Sequence, residues 1–66
     1  MPQIPDLELK LLLREVKTRL IAGGDALTVL IMYTEEKEKK AVYGRLLQGN
    51  EDTLSKLEYY LKHINA

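Results

Sequence analysis

The chain has one histidine and no cysteine, so nucleophilic or metal chemistry would have to be assembled around His63. A catalytic hydroxyl needs a base within hydrogen-bond reach. Ser55 lies on the same predicted helix as His63 but two turns away, about 12 Å along the axis, and the two cannot form a dyad within one chain. A zinc site would need carboxylates gathered round that single imidazole, with no thiolate to help. We read His63 as a solvated side chain favoured by the negative end of its helix. The carboxylates Glu35, Glu36 and Glu38 alternate with Lys37, Lys39 and Lys40, and a solvated run of mixed charge lacks the burial that tunes a catalytic acid or base. Gly23, Gly24 and Asp25 suggest a phosphate-binding loop, yet they follow a predicted helix, whereas a phosphate cradle needs glycines that open one. No catalytic residue, cofactor site or metal site is expected.

Binding chemistry has more to work with. Lys10, Arg14 and Lys17 fall within one 60° sector of a helix at about 100° per residue, and could straddle phosphates. Against this, ten basic and ten acidic side chains cancel, which removes the diffuse attraction that carries nonspecific nucleic-acid or anionic-membrane binding. The four tyrosines are not spaced like the stacking platforms of single-strand binders. Nucleic acid is therefore the second reading. Membrane-surface attachment is not expected, because Glu8 and Glu15 flank the basic stripe and no aromatic side chain lies on that helix.

The elements that must position these residues begin after Pro5, which leaves Asp6 as N-cap of a first helix that Gly23 and Gly24 end. Leu9, Leu12, Leu13, Val16 and Leu20 form a core-facing sector about 100° wide. Leu7, Leu11 and Ile21 fall on the opposite side, a second apolar stripe that a surface helix of a lone monomer does not need. Ala26 to Thr34 is rich in β-branched residues and predicts a strand. Ala41 to Gln48 predicts the returning strand, with the charged run Glu35 to Lys40 as the hairpin tip. A last helix is predicted from about Glu51 to Ile64, capped by Asn50, with Leu54, Leu57, Tyr60, Leu61 and Ile64 on its apolar face and Tyr59 off it. The expected fold class is α+β: an N-terminal tail over 1–5 and one two-layer α-β-β-α domain over 6–66, whose antiparallel hairpin pairs with a second copy into a four-stranded sheet. The alternative is a three-helix bundle with one helix from Asp25 to Gln48.

Sixty-six residues make one domain whose core supplies no more than roughly 3–5 kcal/mol. The absence of cysteine removes the disulfide as a staple and fits a reducing, cytoplasmic compartment. Met1 to Pro5 lacks the basic start of a targeting segment. These observations converge on a small, non-enzymatic protein that binds another protein, as a homodimer or as a subunit of a larger complex. Leu7, Leu11, Ile21 and Tyr59 are the expected protein interface, and Lys10, Arg14 and Lys17 the nucleic-acid contact of the second reading.

Overall fold

A computed structural model describes residues 4–64. Two helices of 28 residues each, α1 (Asp6–Tyr33) and α2 (Lys37–Ile64), run antiparallel as a helical hairpin. Among the described residues there is no strand, which overturns the α+β assignment and the four-stranded sheet built on it. The three-helix alternative fails as well: a helix from Asp25 to Gln48 is interrupted at Thr34–Glu36, and no break occurs at Gly23–Gly24 or Gly49–Asn50. Of the tail expected at 1–5, residues 1–3 lie outside the described residues; Ile4 and Pro5 lead into α1.

A seven-residue apolar repeat explains why helix prevails. In α2, Tyr43, Leu47, Asn50, Leu54, Leu57, Leu61 and Ile64 follow one another in alternating steps of four and three, and all are buried or half-buried. In α1, Leu13, Leu20 and Leu27 recur every seven residues, joined by Gly24 and Ile31 on the same side, all half-buried. Steps of three and four keep one line of side chains facing a neighbouring helix. That line runs unbroken through both glycine sites.

The β-branched residues of 28–34 give up only a few tenths of a kcal/mol each in a helix, less than Leu27 and Ile31 gain by meeting α2. Their hydroxyls also find helical partners: Thr28 Oγ1 donates to the Gly24 carbonyl at 2.9 Å, and Thr34 Oγ1 to that of Leu30. The reversal comes at the start of the charged run. Thr34 takes extended backbone angles (φ −98°, ψ 124°) and ends α1. The Glu36 carbonyl then accepts from the Lys40 amide at 2.9 Å, and the Glu36 carboxylate pairs with Lys39 at 3.1 Å. Carboxylates at 35, 36 and 38 sit at the positive end of α2, where the helix dipole favours them. Lys62 and His63 occupy its last turn.

Candidate functional site

The seam between the helices is narrow and held in register by one polar contact. Asn50 Nδ2 donates to the Leu20 carbonyl at 2.8 Å, part-buried. Gly23 and Gly24 make room for that amide: a Cβ on Gly24 would stand 3.0 Å from Asn50 Nδ2, and one on Gly23 3.3 Å from Asn50 Oδ1. Neither glycine has positive φ, so what these positions require is the missing Cβ rather than a left-handed backbone. The ion pairs Arg19–Glu15, Lys39–Glu36 and Lys56–Asp52 are exposed and lie within single helices or the turn. Such pairs contribute about 0.3–0.5 kcal/mol each and cannot choose a register.

Around this seam there is almost no core. Leu61, 8% exposed, is the one buried side chain among the described residues. The hairpin measures 47 × 20 × 19 Å with a radius of gyration of 15.3 Å, against about 11 Å for a compact domain of this length. Its accessible surface is 5719 Å², where a folded monomer of 7.6 kDa is expected to expose about 4,300 Å².

Six of the exposed apolar side chains share one side of the hairpin. Leu12, Val16 and Leu30 on α1 and Val42, Leu46 and Tyr60 on α2 are each between 45% and 54% exposed. On α1 the first three lie about 45–85° from the seam in the direction of falling helical angle; on α2 the other three are displaced about 50–90° in the same sense. Because the helices are antiparallel, that common sense of rotation turns both sets to the same broad side of the hairpin. The opposite groove has the complementary membership: Ile21, Gly24, Asp25 and Thr28 from α1 line it with Asn50 and Glu51 from α2. One side of the hairpin thus carries apolar side chains from both helices, in two groups with Arg19 and Thr53 between them, and the other is mixed.

The expected interface residues occupy other positions. Leu7, Leu11 and Ile21 are exposed, Leu7 at 72%. Leu7 and Leu11 lie on the back of α1, with Ile21 toward the mixed groove. Tyr59, 67% exposed, is on the outer side of α2, its ring 4.1 Å from that of His63. The face that runs across both helices was half visible in the leucine pattern: Leu12, Val16 and Tyr60 belong to the predicted core stripes but stand beside the seam. Val42 and Leu46 were assigned to a strand, which concealed their helical spacing.

Lys10, Arg14 and Lys17 run along the mixed side of α1, with Lys10 and Lys17 half-buried and Arg14 exposed. By the same angular count, α2 presents Glu58 and Lys62 to that side, so the local field has both signs. Ser55 and His63 sit eight residues apart on α2, as far apart as the sequence implies. Among the described residues, no group of three His, Cys, Asp or Glu is placed to hold a metal. A surface depression around Gly49 is lined by Arg45, Gln48, Glu51, Asp52 and Ser55, all from one helix. A depression on a single helix cannot enclose a ligand as a binding pocket does. No helix of the described residues is long and apolar enough to cross a membrane.

No protein-family model, curated protein or solved structure matches the chain.

Proposed function

We propose that this chain is a non-enzymatic protein-association module, acting in a cytoplasmic setting as a homodimer or as a subunit of a larger complex. The observation that carries this reading is the 5719 Å² surface, which exceeds that of a compact monomer of its mass by about 1,400 Å². With one buried side chain among its described residues, the hairpin has little apolar burial to set against the conformational entropy of ordering two 28-residue helices. Its stability must come largely from surface that another molecule covers.

Amide hydrogen exchange on the isolated chain at submicromolar concentration tests this. Protection along both helices is expected to be weak, with opening free energies below about 3 kcal/mol. A monomer that unfolds cooperatively, with higher stability unaffected by concentration, would refute the proposal.

The second reading, a nucleic-acid-binding regulator, has its own specific observation. Lys10, Arg14 and Lys17 are aligned over about 10 Å of α1. Glu58 on the same side weakens their field, which is why association stands first.

A further inference from the structure

We propose that two copies of this chain pack into a four-helix bundle through the broad face bearing Leu12, Val16, Leu30, Val42, Leu46 and Tyr60. This rests on the association reading above and names its partner. The width of the apolar stripes is the first support. A helix that meets one neighbour needs a narrow seam, whereas a helix in a four-helix bundle meets two neighbours and buries a sector about 100° wide. The stripe Leu9, Leu12, Leu13, Val16 and Leu20 has that width. Within the hairpin Leu9, Leu13 and Leu20 are half-buried, while Leu12 and Val16 are left outside. On α2, Leu57, Leu61 and Ile64 are covered, and Tyr60 is left outside. All three leftovers turn to the same side.

The second support is the match of size and charge. The six side chains form two groups, Leu12, Val16 and Tyr60 toward one end and Leu30, Val42 and Leu46 toward the other, and a second hairpin of the same 47 × 20 × 19 Å extents is long enough to cover both. If each copy loses its excess of about 1,400 Å², the contact removes about 2,800 Å² in total, within the range of obligate dimers. The formal net charge is zero, so copies do not repel. Beside the face, Arg19 pairs with Glu15, Lys39 with Glu36 and Lys56 with Asp52. A two-fold contact requires a surface that complements itself, and an apolar face two helices wide meets that requirement. The back of α1 does not. Leu7, Leu11, Val29 and Met32 there are interspersed with Arg14, Thr18 and Asp25, and no apolar stripe of α2 adjoins them.

Sedimentation equilibrium between about 1 and 100 μM, with helicity followed by circular dichroism, tests the proposal on the wild type, Val16→Glu, Leu46→Glu and Leu11→Glu. A buried interfacial charge is strongly disfavoured. The wild type and Leu11→Glu are expected at twice the 7.6 kDa chain mass, with Val16→Glu and Leu46→Glu associating at least a hundredfold more weakly. Because the face variants could lose their fold along with the dimer, isotope-filtered NOEs in mixed labelled and unlabelled wild-type protein give an independent readout. Contacts between copies are expected at Leu46 and Tyr60. A wild-type dimer whose inter-copy NOEs are confined to Leu7, Leu11 and Met32, or one that Leu11→Glu dissociates, overturns the proposed face. A monomeric wild type with little stable helix overturns the second copy as partner and leaves association with a different protein standing. A monomeric, cooperatively folded wild type overturns both readings.

Discussion

Gly24 offers a sharp test of how the two helices find their register. Replacing an interior glycine by alanine stabilises a helix by about 1 kcal/mol when the added methyl meets nothing. At Gly44 it meets nothing within 4 Å, so Gly44→Ala should show that gain and calibrates the scale. At Gly24 the new Cβ would stand 3.0 Å from Asn50 Nδ2 and 3.8 Å from Leu47 Cδ1. The amide must yield by a few tenths of an ångström, lengthening a 2.8 Å hydrogen bond to the Leu20 carbonyl. Losing that bond costs about 0.5–1.5 kcal/mol, and more if the amide is left without a partner. Gly24→Ala is therefore expected to be near neutral or destabilising in the wild type. In an Asn50→Ala background the obstacle is gone, and the same substitution should recover the full gain of about 1 kcal/mol. A double-mutant cycle from urea unfolding at 222 nm should give a coupling of about 1 kcal/mol or more between positions 24 and 50. All four proteins must be compared at one concentration, since association adds to apparent stability. Equal stabilisation by Gly24→Ala in both backgrounds would refute the register argument.

Leu61→Ala removes the one buried side chain among the described residues and should cost about 2–3 kcal/mol, read as a lowered urea midpoint with little change in slope. A loss no greater than that of a surface substitution would show that the seam is not where the hairpin is held. For the second reading, replacing Lys10, Arg14 and Lys17 together by glutamine should leave association and helicity unchanged. If the basic stripe binds phosphates, the wild type should bind duplex or single-stranded probes with an affinity that falls steeply with salt, and the triple variant should not. No measurable binding by the wild type at low salt would discard that use.

Several features were legible in the residues. The apolar stripes over Leu9 to Leu20 and Leu54 to Ile64 predict two amphipathic helices, and both segments are helical. The surplus of apolar side chains over what one small core can use was also apparent from Leu7, Leu11 and Ile21. The middle of the chain misled. Val29, Ile31 and Thr34 favour a strand by intrinsic preference, and Gly23–Gly24 and Gly49–Asn50 look like helix ends. These are local signals of about 1 kcal/mol or less per residue. They lose to the half-buried line of Leu20, Gly24, Leu27 and Ile31 on one helix and Leu47, Asn50 and Leu54 on the other, joined where Asn50 meets Leu20 and the glycines. The glycines and the asparagine belong together across the seam, more than twenty-five residues apart in sequence, and local reading assigned each to the end of its own element.

By itself, then, the sequence determines helical periodicity near both ends of the described chain, a charged segment where the chain reverses, neutral overall charge and an excess of apolar side chains. Only the tertiary arrangement decided which of those side chains remain uncovered. A stripe's angular width is a property of one helix, but which part of it stays exposed depends on where the other helix lies and on the direction in which it runs. The antiparallel pairing covers Leu13, Leu20, Leu57 and Leu61 and turns Leu12, Val16, Leu46 and Tyr60 to one side, because reversing a helix reverses the sense in which its residues turn about the axis.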